Sequence, residues 1–315
     1  MPDKVRQIIA RLEGRDHEAW LVGGSVRDIL LGQPPKDWDV VTSANIGTIQ
    51  DLLQDFRVVQ VGARFGTIRL ISEDLDCQVS AFRGKDLVQD LARRDFTINS
   101  MAWHPRWGLQ DPHGGQGDLR DEILRCPGPA KEILSQDALR MMRAARFYSQ
   151  MGFVLADDLL NAIQALYPLI DDISPERIRD ELSLILLSSR PVEGFELLRK
   201  TGLLARILPE LQECVGFGQH NPHHDKDVFQ HTMAVVEKTP QDLSLRLAAL
   251  LHDIAKPRSL SIDAKGIGHF YGHEQEGAQL AGQILSRLHF DNKTRAKVKA
   301  LIRAHMQRLN YPEIN

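Results

Sequence analysis

The chain has 315 residues, 43% of them hydrophobic and 26% charged, with a formal net charge of −3. That length suits two or three domains with real interiors, and the composition excludes a disordered or membrane protein. The near-neutral charge does not advertise a nucleic-acid binder, so any such role must rest on local arginine clusters.

The N-terminal stretch MPDKVRQIIARLEGRDHEAW mixes charges through an amphipathic pattern. It lacks the apolar core and small-residue cleavage site of a signal peptide, so a cytoplasmic location with no membrane partner is expected. Cys77, Cys126 and Cys214 are widely spaced, with no CxxC pair. Neither a disulfide framework nor a thiolate zinc site is indicated, and the three read as buried or incidental thiols.

In chain order, the spacing predicts a first helix over 3–13, a strand in AWLVGG ending in a glycine turn, and a helix in SVRDILLG closed by Gly32. DWDVVTS alternates as a strand and IGTIQDLLQDF has a helical period; RVVQVGA, GTIRLISE and LDCQVSAFR read as strands of one sheet. Together these give a mixed α/β head over 1–125. Taken alone, RRDFTINS reads as a helix N-terminus capped by Asp95. CPGPA at 126–130 punctuates the chain. Helical periods without strands follow, first over 126–215 and then in a histidine-rich helical block over 216–315.

Asp37 and Asp39 in KDWDVV stand two apart on a predicted strand, so both carboxylates project from one face. Like charges held so close call for a cation between them, and Mg²⁺ shared with substrate phosphates suits that geometry. GGSVRD lies just upstream: Gly23 and Gly24 let backbone amides approach an anion near a helix start, and Arg27 is placed to hold a phosphate oxygen.

Further on, Asp137 and Arg140 in SQDALRMMRAARF lie at i,i+3 on one helix face. A carboxylate accepts from an exocyclic amino group and a guanidinium donates to the neighbouring ring acceptor. Such a pair takes cytosine or adenine and rejects uracil and guanine. In the last block, His231, His252, Asp253, His273 and His305 fall in predicted helices or at their ends, and this residue set suits a divalent metal.

The stretches LVGGSVRDILLGQPPKDWDVVTSA, GARFGTIRL, DLARRDFTINSMA, DALRMMRAARF and ISPERIRDEL resemble, in order, the class II tRNA nucleotidyltransferases and bacterial poly(A) polymerases, a branch of the polymerase β-like nucleotidyltransferase superfamily. The resemblance implies an α+β fold, with a polymerase β-like head of mixed sheet and helices followed by an all-α neck and body. It also implies a two-metal centre with two Mg²⁺ ions, for which Asp37 and Asp39 are the matching ligands. Where many relatives carry a third acid this chain has Gln78, with Asp76 as the alternative if the strand register allows.

By the same resemblance, Arg93, Arg94, Asp95 and Asn99 contact the ribose and triphosphate, and the segment around Asp137 and Arg140 selects the base. Arg143 and Arg177 are further candidates for the nucleobase or phosphate site. The histidine block resembles the HD domain that accompanies some members, which implies phosphohydrolase chemistry with a second divalent metal. Substrates would be the tRNA 3′ end and CTP, with ATP as a second nucleotide.

Relatives that add a whole CCA end normally carry a longer flexible segment between the FR strand and RRDF. Here nine residues, Gly84 to Ala92, separate Arg83 from Arg93. The resemblance then implies addition of CC, with a separate A-adding enzyme as the partner that finishes the end. The alternatives are complete CCA addition, A addition or poly(A) synthesis, and an HD phosphohydrolase with an RNA-binding head.

Overall fold

Helix α1 (Asp3–Glu13) buries Val5, Ile8, Ile9 and Leu12 at helical spacing. Strand β1 (Ala19–Val22) ends at Gly23, whose φ of 72° is a conformation glycine adopts without penalty, and the chain reverses there into α2 (Gly24–Leu30). The head continues through β2 (Trp38–Thr42), α3 (Ile46–Leu52), β3 (Val58–Val59), β4 (Thr67–Ser72) and β5 (Leu75–Ala81). It then forms α4 (Leu87–Leu91), β6 (Ala102–His104) and β7 (Gly108–Gln110). This computed structural model describes residues 1–56, 58–59, 67–72, 75–218, 227–264 and 268–306.

The seven strands form one sheet in the order β3-β4-β5-β2-β1-β6-β7. The β2–β5 pair is parallel, with Asp39 opposite Gln78; the other pairs are antiparallel. Val22 pairs with Asp39 and Trp20 with Val41, so these four side chains share a sheet face. Leu87 and Leu91, one turn apart on α4, are buried on that face among Trp20, Val22, Val41 and Ala102. One strand face therefore presents a carboxylate at Asp39 and, two residues on, the seat of α4.

The strands expected in GTIRLISE and LDCQVSAFR are β4 and β5. Of RVVQVGA the described residues form only β3, and the GARFG part of the matched motif lies outside the described residues. Strands β6 and β7 are additions to the expected sheet: at three residues each they are too short for alternation to register in the sequence. RRDFTINS does not begin an α-helix. It forms a single 3₁₀ turn over Thr97–Asn99, and Phe96 through Ser100 are all buried, which leaves no polar face for a surface helix.

Contacts divide the chain into two compact units, one of residues 1–133 with 154–159 and the other of 134–153 with 160–315. In the second unit, helices Leu139–Met151, Pro175–Leu186 and Pro191–Thr201 pack together. A Cβ on Gly194 would stand 2.7 Å from Ile185 and 3.0 Å from Ser149, so the glycine sets how closely the three helices approach. Arg246, 4% exposed, donates to the carbonyls of Leu186, Ser188 and Thr239 and so satisfies the C-terminal end of Pro175–Leu186.

Helices Val228–Lys238, Leu243–Leu251, His273–Arg287 and Asn292–Ala304 complete this unit. The expectation of no strands beyond the head needs two corrections. Val154–Leu155 pairs in parallel with Ile123–Leu124, and Ser261–Ile262 pairs with Gly268–His269. Two-residue pairs leave no period to read. All three cysteines are buried, as expected, and no described helix is long and apolar enough to cross a membrane.

Candidate active site

Asp39 lies in β2, and Asp37 immediately precedes that strand. Beside Asp39 on the parallel neighbour stands Gln78, so the register puts an amide where a third acid was sought. Asp76 lies two residues back on the same face and makes paired hydrogen bonds with Arg69, one of them 2.7 Å long. The hydrogen bond from Arg69 holds the Asp76 carboxyl below its usual range against a smaller opposing effect of burial. Bonding to Asp76 first, and the charges of Asp76 and Asp37 after it, raise Arg69 in turn, which places Asp37 within electrostatic reach of that guanidinium. The donor set of Asp37 and Asp39 is all oxygen and suits a hard divalent cation such as Mg²⁺.

The glycine turn approaches these acids closely. A Cβ on Gly23 would stand 2.9 Å from Nη1 of Arg94 and 3.3 Å from Oδ2 of Asp39, so the turn, the arginine and the carboxylate meet at one point. Arg27, on α2, donates through Nη1 to Oδ1 of Asn99 at 2.7 Å, and through Nε and Nη2 to Asp28 at 2.9 and 2.7 Å. Asn99 donates in turn to Oδ1 of Asp95 at 3.1 Å, and Asp95 also accepts from the N–H of Phe96 at 2.9 Å. Two motifs about seventy residues apart, GGSVRD and RRDFTINS, thus form one hydrogen-bonded group. Arg93, its neighbour in the sequence, is exposed.

Three residues that sequence reasoning passed over belong to these networks: Arg69, Asp90 and Glu181. Asp90, 1% exposed, accepts from the N–H of Arg83 at 3.0 Å and from Arg94 at 3.2 and 3.3 Å. Its i,i+4 spacing to Arg94 was the available signal.

In the second unit, Asp137 and Arg140 do not share a helix as expected. The preceding helix stops at Gln136 and the next begins at Leu139, because Asp137 accepts from the N–H of Leu139 at 3.2 Å and breaks the run. Its other oxygen accepts from Arg177 at 2.7 Å, while Arg140, nine-tenths buried, donates to Gln136 at 3.3 Å. Asp137 and Arg177, forty residues apart, therefore meet. Arg143 faces Glu181 at 3.7 Å, which Arg146 approaches to 2.8 Å; Glu181 is 6% exposed, so this arginine belongs to a buried ion group.

The histidines also converge. Nε2 of His252 and of His231 lie 3.1 and 3.6 Å from one oxygen of Asp253, and Nε2 of His273 and of His305 lie 3.5 and 3.9 Å from the other. The ligand atoms of His231, His252 and Asp253 lie within 4.8 Å of one another, as do those of Asp253, His273 and His305. Nδ1 of His252, His273 and His305 each reaches the carbonyl three residues earlier, at 2.8, 2.6 and 2.5 Å. With Nδ1 carrying the proton, Nε2 is left as a lone pair aimed at the centre.

Burial opposes charge on Asp253, but the bond and charge that His252 supplies when doubly protonated, and the charge of Lys256, 2.8 Å away, outweigh it and hold the carboxyl far below its usual range. Burial first, then the neighbouring imidazoles, lower His305. The cluster lines a cavity of about 450 Å³ that also includes Lys256 and Tyr271.

Comparison with known proteins agrees with both regions. Sequence profiles match for the "Poly A polymerase head domain" over 19–125, the "Probable RNA and SrmB- binding site of polymerase A" over 152–214, and the HD domain over 224–314. The chain is 36% identical over 308 residues to the A-adding tRNA nucleotidyltransferase of Deinococcus radiodurans, covering 92% of this chain and 69% of that one. It is 37% identical over 196 residues to the CC-adding tRNA nucleotidyltransferase of Halalkalibacterium halodurans, covering 62% and 52%. The crystal structure of the Bacillus stearothermophilus CCA-adding enzyme in complex with CTP superposes with a TM-score of 0.67 at 26% identity, over 97% of this chain and 78% of that one. A sheet that gathers two separated motifs around a carboxylate, a helical continuation ending in an HD cluster, and relatives matched along nine-tenths of the sequence place this chain in the tRNA nucleotidyltransferase and poly(A) polymerase family.

Proposed function

We propose that this chain adds CMP from CTP to immature tRNA 3′ ends without a template and stops after CC. The observation that carries the stopping point is the connection from Arg83 to Arg93. Helix α4 within it packs on the sheet through Leu87 and Leu91, and Asp90 bonds the N–H of Arg83 before it and the guanidinium of Arg94 just after it. Little chain is left there to reshape a pocket from cytosine to adenine.

In each cycle the 3′-hydroxyl oxygen of the tRNA attacks the α-phosphorus of CTP. A phosphodiester forms, the hydroxyl proton passes to solvent, the α–β bridge breaks, and pyrophosphate leaves with the electron pair. Asp37 and Asp39 would hold Mg²⁺, which when bound makes the hydroxyl easier to deprotonate and neutralises charge on the leaving group. Gly23 and Gly24 let the triphosphate approach the backbone. Arg27 and Arg94 hold its oxygens, with Arg93 beside them; Asn99 and Asp95 fix Arg27 and face the ribose. Asp137 accepts from the exocyclic amino group of the base, and Arg140 or Arg177 donates to the adjacent ring nitrogen. Arg143, tied to Glu181, supports the helix that carries Arg140.

Complete CCA addition is the second reading, and one observation favours it: the Asp137, Arg140 and Arg177 group complements adenine as well as cytosine. Transcripts of one tRNA ending before the CCA, after C and after CC, each given CTP, ATP or both, separate the two. The proposal expects growth of the first two with CTP and no A on the third; efficient A incorporation leaves only the transferase activity standing. On the CC-adding proposal, a distinct A-adding enzyme completes the product. In the histidine cluster, His231, His252, Asp253, His273 and His305 would hold a divalent metal for hydrolysis of phosphoesters. The convergence of the four Nε2 atoms on the Asp253 carboxylate supports that reading.

A further inference from the structure

Asp90 opens the DLARRDFTINSMA stretch, just ahead of the arginines, and connects two functions. It is 1% exposed, and a carboxylate so deeply buried needs partners for both oxygens. Oδ1 accepts from the backbone N–H of Arg83 at 3.0 Å, where the short connection begins. Oδ2 accepts from Nε and Nη2 of Arg94 at 3.3 and 3.2 Å, one residue past the connection's end. That grip takes one edge of the guanidinium and turns Nη1 toward the Gly23 turn, within 2.9 Å of the point where a Cβ would also meet Asp39 at 3.3 Å.

Helix α4 gives Asp90 its fixed address. Asp86 caps the helix by accepting from the N–H of Gln89 at 2.8 Å, and Leu87 and Leu91 pin it to the sheet face that bears Asp39. Gly84 packs against Gln89, whose side-chain oxygen accepts from the N–H of Lys85 at 3.1 Å. Neither end of the carboxylate's grip can shift without moving the other.

We propose that Asp90 is a positioning residue: it presents Arg94 to the triphosphate of the incoming nucleotide and locks the short Arg83–Arg93 connection to that same guanidinium. The inference rests on the assignment of Arg94 to the nucleotide. In the Asp90→Asn variant the side chain is isosteric but uncharged, and its NH₂ must oppose either the Arg83 N–H or the Arg94 guanidinium.

The test measures steady-state CMP addition to a tRNA ending before the CCA, together with equilibrium binding of CTP in Mg²⁺, for the full chain and for Asp90→Asn, Arg94→Ala and the double variant. KM and Kd for CTP should rise about tenfold in Asp90→Asn. kcat should stay within about threefold and KM for tRNA within about twofold. The double variant should match Arg94→Ala alone, since Asp90 acts only through that side chain.

CTP affinity unchanged in a folded Asp90→Asn protein overturns the proposal, as do effects that multiply in the double variant. So does equal weakening of tRNA and CTP with a lowered melting temperature, which marks a merely structural carboxylate. If Asp90→Asn does not fold, Asp90→Glu keeps the charge and should raise KM for CTP by a smaller factor; failure of both to fold assigns Asp90 to folding and overturns the role. Wild-type chain that neither binds CTP nor extends tRNA overturns the functional reading along with this one, whereas wild-type extension with an indifferent Asp90→Asn overturns this one alone.

Discussion

The head and the histidine cluster both gather groups suited to a divalent cation, but in opposite ways. In the cluster the protein supplies nearly everything: four imidazoles face one buried carboxylate, and three backbone carbonyls fix the tautomers. In the head, Asp37 and Asp39 sit among Gln78, Arg69 and Arg94, with cations close by and an amide where a third acid would stand. On the proposed reading, a centre with so few protein ligands would be completed by the nucleotide phosphates, with ion and substrate binding as one. The cluster would be formed before its substrate; the head would be formed by it.

The sharpest way to break that contrast is to remove a head carboxylate. Asp37→Ala or Asp39→Ala should lower CMP addition by roughly 1,000-fold or more, the size of several kcal/mol of lost charge stabilisation. Metal binding at the cluster should not change, as measured by titration of the same protein. Residual addition near the wild-type rate would remove these carboxylates from the reaction.

The reciprocal change is next in size. Asp253→Ala removes the group on which all four histidines converge and should weaken divalent-metal binding by about 100-fold or more, measured in an Asp37→Ala background that silences the head. CMP addition by Asp253→Ala alone should remain within about twofold of wild type. If addition falls together with metal binding, the two centres are not independent.

How much of this could be read from the sequence follows the same divide. The histidine set and the DxD pair stand out in the sequence as candidates because ligand chemistry depends on residue type and spacing. The elements α1, β1, α2, β2, β4 and β5 follow from period and turn residues. What stayed hidden is pairing across distance. Arg27 to Asn99 and Asp137 to Arg177 are set by sheet register and helix packing, which no local pattern encodes. The expectation that Asp137 and Arg140 share a helix failed for a local reason: an aspartate that bonds its own backbone two residues on competes with the helix. Strands of two or three residues, such as β6, give no period at all.

A smaller effect is expected at Asp137, Arg140 and Arg177, the group proposed to select the base. Arg177→Ala frees Asp137 from its 2.7 Å partner while leaving its bond from the N–H of Leu139 intact. Discrimination of CTP against UTP, the ratio of kcat/KM values, should fall about tenfold, the range of one charge-assisted hydrogen bond. An unchanged ratio assigns Arg177 to the fold.

The mildest change bears on where synthesis stops. Four to six Gly and Ser residues inserted between Lys85 and Asp86 lengthen the Arg83–Arg93 connection ahead of α4. They leave the Asp86 cap, the buried Leu87 and Leu91, and the Asp90 to Arg94 bonds in place. Loop-closure entropy grows only slowly with length, so stability should fall by less than about 1 kcal/mol. CC addition should hold within about twofold, while A incorporation on tRNA ending in CC should rise a few-fold above background if freedom in this segment lets the pocket admit adenine. If A incorporation stays at background while the lengthened protein still adds CC, the limit lies with the base-selecting side chains. The Asp137 group, whose hydrogen-bond pattern serves cytosine and adenine alike, would then need an additional residue to exclude adenine.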